Sequence, residues 1–141
     1  MALHVAQAYG KDQQGRELAD PNVMTLLVEG GAKLVGYAQL RRGQEPSCVT
    51  GESPIELWRF YVARDWQGRG VAQELLRQVD FAAHDAGART LWLGVWERNE
   101  RAKAFYRKSK FVDVGSHVFT LGSDAQTDRI LARPVVPAAS T

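Results

Sequence analysis

The period of the apolar positions changes several times along the chain, and each change marks an element. Val23 to Glu29 and Ala32 to Leu40 read as two strands joined by a tight hairpin turn at Gly30-Gly31. Ile55 to Val62 is rich in apolar, aromatic and β-branched residues, as a buried strand should be. From Val71 the spacing becomes helical, with Val71, Leu75, Val79, Ala82, Ala83 and Ala86 on one face and Gly87 at the usual stop position. Thr90 to Trp96 is apolar on both faces, which predicts a buried strand beside Ile55–Val62. The helical connection between the two makes them parallel. A short helix over Glu100–Ser109 gathers Ala102, Phe105 and Tyr106 on one side. Phe111–Val114 and His117–Leu121 read as one long strand kinked at Gly115, Gly122–Thr127 as a loop, and Asp128–Arg133 as the returning hairpin strand. Upstream, Leu3–Ala19 reads as a weak helix broken at Asp20-Pro21-Asn22, and Arg41–Pro54 as a polar loop. No repeat or linker divides the chain, so residues 1–141 are read as a single domain with a C-terminal tail over 134–141.

The informative junction lies between Val62 and Val71. Gln67-Gly68-Arg69-Gly70 turns directly into the long helix, so the first backbone N–H groups are free and the positive end of the helix dipole stands behind them. That arrangement suits a phosphate. The plainer reading is a turn that only links strand to helix. No Gly-Lys-Ser/Thr follows, which disfavours a P-loop, and Gln73 stands where a dinucleotide fingerprint needs a third glycine or alanine.

Three segments in order carry a family resemblance. Gln67-Gly68-Arg69-Gly70-Val71-Ala72 resembles the Gln/Arg-x-x-Gly-x-Gly/Ala motif of the GNAT superfamily of acetyl-CoA-dependent N-acetyltransferases, the strand ending Phe60-Tyr61-Val62 precedes it, and Asn99 to Tyr106 is similar to the family's Asn-x-x-Ala-x-x-Phe-Tyr segment. The likeness spans roughly Asn22 to Arg133. It implies an α/β fold: a mixed sheet with helices on both faces and a central parallel strand pair that splays apart at its C-terminal end to admit the pantetheine arm of the cofactor. The family fold opens with a further strand and helix, and here they are expected to be missing. The exposed sheet edge would then be covered by a second copy of the chain, or the acceptor site would be reduced.

The resemblance also assigns roles. The backbone amides of Gly68, Arg69, Gly70, Val71, Ala72 and Gln73 would surround the pyrophosphate, after Gln67, with Arg69 adding charge or simply solvated. In the Phe60-Tyr61-Val62 segment, the main chains of Phe60 and Val62 would bond the pantetheine, and the Val62 N–H would polarise the thioester carbonyl. Acetyl transfer to an amine needs a held donor, a deprotonated amine, a stabilised oxyanion and a proton for the departing thiolate. Tyr106 would supply that proton. The competing reading makes it a core aromatic beside Phe105. Asn99 would bond the cofactor arm or orient Tyr106, and also fits a helix N-cap. Glu56 is the candidate base, six residues before Val62, with strand alternation expected to put Glu56, Trp58, Phe60 and Val62 on one face. A structural ion pair with Arg41 or Arg59 is its bland alternative, and Glu97 and His117 are rival bases. Trp58, Trp92 and Trp96 are read as core or groove wall. Lys110 stands where the family has glycine, so the loop after the tyrosine helix is expected to run differently.

Composition narrows the picture. A net charge of +2 gives no case for a nucleic-acid partner. No apolar run is long enough for a membrane span and no signal-peptide core is visible, so the cytoplasm is the default compartment. A single cysteine, Cys48, rules out an internal disulfide and a cysteine metal cage, and no metal is expected. The reading is an N-acetyltransferase that moves acetyl from acetyl-CoA directly to a primary amine, on a small molecule or a protein. The alternative is a non-catalytic acyl-CoA-binding or regulatory module with a reduced acceptor half.

Overall fold

In the computed structural model, the described residues are 3–8 and 22–136. The elements are β1 (Leu3–Ala8), β2 (Val23–Gly30), β3 (Lys33–Arg41), β4 (Pro54–Val62), a single 3-10 turn (Arg64–Trp66), α1 (Val71–Asp85), β5 (Thr90–Trp96), α2 (Glu100–Lys108), β6 (Val112–Leu121) and β7 (Asp124–Pro134). The strands form one mixed sheet in the order β1-β2-β3-β4-β5-β7-β6. Among the described strands only β4 and β5 pair in parallel, across the α1 crossover.

The sheet has two unlike faces. On the first lie Leu26, Val28, Ala38, Leu40, Leu57, Leu91 and Leu93, packed against Val71, Leu75 and Val79 of α1 and Tyr106 of α2 in one core. Both described helices cover this face, whereas helices on both faces were expected. On the second face, the loop between β3 and β4 lays Val49 and Cys48 over Trp92 and Ile130. A buried ion pair ties the first face together. The Arg133 guanidinium on β7 meets both carboxylate oxygens of Asp80 on α1 at 2.8 Å. It also donates to Ser109 O at 2.9 Å, and Asp80 accepts the Val136 N–H at 3.1 Å, so the chain beyond β7 is held at least to Val136.

Three expectations are corrected. The first strand is present. Leu3–Ala8 pairs antiparallel with β2, from Leu3 opposite Gly30 to Ala8 opposite Thr25. So short a run fits either period, and pairing with the otherwise open edge of β2 decides for strand. The remainder of the expected helix, residues 9–19, lies outside the described residues. Residues 124–127 are strand rather than loop, because Gly122, at φ +62°, lets a two-residue turn connect Leu121 directly to its partner Asp124.

The third correction bears on the site. Glu56, Trp58, Phe60 and Val62 do not share a face. Leu57 is opposite Leu40 and Arg59 opposite Gln39, so Trp58 is an extra residue, a β-bulge that breaks the alternation of β4. Glu56 therefore sides with Arg59 and Tyr61 on the second face, and Leu57 with Phe60 and Val62 on the first. The expected kink at Gly115 is present, as a register shift between Asp113 and Gly115.

Candidate active site

The parallel pair β4–β5 is joined only from Pro54 opposite Thr90 to Glu56 opposite Trp92. Beyond that point β4 follows β3 as far as Val62 opposite Gly36, and β5 follows β7 as far as Trp96 opposite Asp128. The strands part, and Leu57–Val62 is left without a β5 partner. A cavity opens on each side of this gap.

The first cavity, about 450 Å³, is lined by Phe60 and Val62 from β4, Gln67, Gly68, Gly70, Ala72 and Gln73 from the turn and α1, and Asn99, Arg101, Ala102, Phe105 and Tyr106 from α2 and its approach. Gly68 and Gly70 have φ of +80° and +82°, a left-handed backbone that favours glycine. A side chain at either would meet nothing within 4 Å, so these glycines serve the backbone path and leave open space beside it. Gly70 caps α1 without any side-chain bond, and the first helical bond runs from Glu74 N–H to Gly70 O at 3.1 Å. The amides of Val71, Ala72 and Gln73 are thus left for a ligand or water. Gln67 Nε2 donates to Val62 O at 3.1 Å and pins the turn to the end of β4. Of the sequence-predicted cofactor residues, three side chains are not in the lining. Val71 is buried in the core, Arg69 lies over the Trp66 ring, and Tyr61 is half exposed and stacked against Tyr37 on the other face.

Tyr106 is 9% exposed and boxed by the rings of Phe60, Phe105 and Phe111. Burial pushes its phenol up to about 12. Asn99 is the N-cap of α2, its Oδ1 accepting the Ala102 N–H at 3.1 Å, while it also borders the cavity. Lys110 keeps the left-handed backbone of a glycine, at φ +78°, so the loop does not run differently. Lys110 N–H bonds Arg107 O and Phe111 N–H bonds Tyr106 O, each at 3.0 Å, a Schellman ending with Phe111 packed on Tyr106. These bonds and that aromatic contact hold the unfavourable lysine conformation and fix the helix turn that carries Tyr106.

The second cavity, about 550 Å³, opens on the opposite face and is lined from five strands and the loop after β3. Glu56 is buried there, with Arg41 Nε on its Oε1 at 2.6 Å. The guanidiniums of Arg41 and Arg59 lie 4.0 and 3.8 Å from the Trp58 ring centre. Arg59 in turn donates to Gln39, which donates to Thr25. His117 and Asp128 stand opposite each other on β6 and β7 and line the same cavity. Burial raises the Asp128 carboxyl, with the charge of His117 acting against the shift. The rival base Glu97 lines neither cavity. Trp92 is a wall of the second cavity, whereas Trp96 is exposed. Sequence reasoning missed Arg101, Ala102 and Phe105 as lining residues, although they fall within the Asn99–Tyr106 segment. It also missed Asp128, whose only sequence signal was its start-of-strand position. Among the described residues no group of three His, Cys, Asp or Glu side chains could hold a metal ion, and no helix is long and apolar enough to cross a membrane.

Comparison with known proteins agrees with this geometry. A model of the acetyltransferase (GNAT) family matches residues 4–111. The chain is 30% identical over 136 residues to an uncharacterized N-acetyltransferase from Lactobacillus delbrueckii subsp. lactis, covering 96% of this chain and 79% of that one. It is 34% identical over 119 residues to an uncharacterized N-acetyltransferase from Mycobacterium tuberculosis, covering 84% and 72%. Its fold is similar to that of a GNAT family acetyltransferase from Elizabethkingia anophelis with acetyl-CoA bound, with a TM-score of 0.71 at 14% identity over 94% of this chain and 97% of that one.

Proposed function

We propose, because the chain belongs to the acetyltransferase (GNAT) family and is an N-acetyltransferase, that it holds acetyl-CoA in the first cavity and passes the acetyl group through the strand gap to a primary amine in the second. The observation that carries this reading is the gap itself. It is bounded on one side by a glycine turn with free amides and on the other by a cavity of charged side chains. Relatives of the family bind acetyl-CoA or coenzyme A, and the residues here suit that donor. The amides of Gly68 to Gln73 offer a cradle for the pyrophosphate. The unpaired stretch of β4 offers Phe60 and Val62 main-chain groups to the pantetheine, with the Val62 N–H on the thioester oxygen.

Tyr106 faces the leaving sulfur. With its phenol raised to about 12, full proton transfer to a thiolate of ~8.5 is uphill by roughly 3.5 units, or about 5 kcal/mol. Tyr106 therefore acts as a hydrogen-bond donor that steadies the sulfur as it departs, and the thiolate takes its proton finally from water. Glu56 borders the acceptor cavity at the last β4–β5 pair and is assigned the relay of the amine proton outward, with Arg41 fixing its carboxylate. The transfer forms one N–C bond, breaks one C–S bond and releases one proton. The non-catalytic alternative drew its support from a missing first strand, and β1 removes that support.

Thiol release from acetyl-CoA with a panel of primary amines tests the proposal. Wild type is expected to turn over and to be thermally stabilised by acetyl-CoA. Glu56→Gln should lower kcat by about 10- to 100-fold and leave that stabilisation intact. Absence of stabilisation by acetyl-CoA in the wild type would refute the donor assignment.

A further inference from the structure

We propose that Asp128, laid over Gly94 in the open part of the strand gap, anchors the ammonium of the acceptor, and that the second cavity takes a small monoamine with a flat apolar or aromatic body. The proposal rests on the acetyl-transfer reading above and names the acceptor class that reading leaves open.

The position comes first. β5 leaves β4 after Trp92, so Gly94 lies two residues into the gap. A Cβ built on Gly94 would stand 3.2 Å from Asp128 Oδ2. The missing side chain lets the carboxylate rest against the β5 backbone at the place an acceptor nitrogen must pass to reach the donor. Charge comes second. Arg41 and Glu56 neutralise each other at 2.6 Å, and His117 faces Asp128 across the β6–β7 pair without forming an ion pair. Among the described residues Asp128 is the acid of this cavity that is in no ion pair, the charge of His117 acting on it only from across the β6–β7 pair. A carboxylate in a partly dry wall is costly unless something supplies a cation. Burial raises its carboxyl, and the charge of His117 acts against that shift.

Shape and walls narrow the class. About 550 Å³ is the size of a small-molecule pocket. Phe119, Trp92 and Ile130 supply apolar wall beside Asp128. With one acid outside any ion pair, and Arg41 and His117 on the same walls, the cavity suits one ammonium and disfavours a polycation. Asp128 orients the amine and ends the cycle ionised, because the proton lost before attack passes to water.

Steady-state kinetics of the full chain with acetyl-CoA, using phenethylamine and spermidine as acceptors, tests this. Phenethylamine should be the better substrate. Asp128→Asn should raise its KM by about 10- to 100-fold, with the KM for acetyl-CoA within about twofold of wild type. Gly94→Ala, which crowds the carboxylate without removing it, should act in the same direction and more weakly. Thermal stabilisation by acetyl-CoA verifies that each variant is folded. An unchanged phenethylamine KM in Asp128→Asn overturns the anchor. Preference for spermidine, or no turnover of phenethylamine by a wild type that acetyl-CoA does stabilise, overturns the acceptor class. A wild type that acetyl-CoA fails to stabilise overturns the donor reading as well, so the two failures are told apart.

Discussion

The two sides of the strand gap are built from different materials. The proposed donor side is backbone: a glycine turn, an uncapped helix start and the bare edge of β4, closed by aromatic rings. The proposed acceptor side is a network of side chains, with Glu56 on Arg41, Arg41 and Arg59 on the Trp58 ring, and Arg59 on Gln39. Backbone recognition depends on local conformation and tolerates most side chains around it. A side-chain network depends on every member and changes with each substitution. The first kind of site suits a donor shared by a whole family, and the second suits an acceptor that differs from one enzyme to the next.

The largest expected effect breaks the donor side alone. Gly70→Asp puts a negative charge and a strained left-handed residue at the proposed phosphate cradle. Stabilisation by acetyl-CoA should vanish, while the far-ultraviolet circular dichroism stays that of a folded chain. A variant still stabilised by acetyl-CoA would mean that the cradle is elsewhere. Next comes a change that should fail on both sides at once. Asp80→Ala leaves Arg133 charged and buried, and should cost about 3–5 kcal/mol in denaturant unfolding, lowering donor and acceptor function together. Loss of only one function, at full stability, would show the two sides to be less tied to a common frame than their shared strands imply.

Tyr106→Phe is smaller and sits at the gap. It should lower kcat by about 10-fold with little change in the KM for acetyl-CoA. The pH profile is the sharper measurement. A phenol raised to about 12 stays protonated through neutral and mildly alkaline pH. The stabilising effect of burying it neutral is complete below the unfolded tyrosine value of ~10 and is lost as pH climbs toward 12. The kcat profile of wild type should therefore show no fall near pH 10 that Tyr106→Phe abolishes, and finding one would mean the phenol titrates normally. On the acceptor side, Trp58→Ala removes the ring between two guanidiniums. It should raise the acceptor KM by roughly 3- to 10-fold and spare the donor KM. Least of all, Lys110→Gly relieves a left-handed lysine and should add about 1 kcal/mol to stability, read as a higher unfolding midpoint with unchanged kinetics.

The same contrast explains what was legible in the sequence. The donor side is nearly all local: Phe60 to Gln73 and Asn99 to Tyr106 are two short runs whose glycines, strand end and helix cap can be read in place. The acceptor side joins Arg41, Glu56, Gly94, His117 and Asp128 from five strands, and no spacing along the chain announces that meeting. Strand existence was readable for β2 to β7, from hairpin pattern and turn residues in most runs, from apolar and β-branched composition at Ile55–Val62 and from an apolar run on both faces at Thr90–Trp96. Two errors came from geometry that periodicity cannot register. Six residues of β1 suited two periods equally until β2 supplied a partner. Trp58 looked like an ordinary strand residue until its register against β3 made it a bulge.

That bulge has a further consequence for how the chain can diversify. Because one surplus residue resets the phase of β4, neighbouring positions line different cavities: Glu56 and Trp58 the second, Phe60 and Val62 the first. On the proposed reading, substitutions at Glu56 or Trp58 retune acceptor selectivity without disturbing the donor cavity, and substitutions at Phe60 or Val62 do the reverse. Deleting Trp58 would leave Leu57 opposite Leu40 and Arg59 opposite Gln39, restore plain alternation along β4, and remove the ring that the Arg41 and Arg59 guanidiniums share.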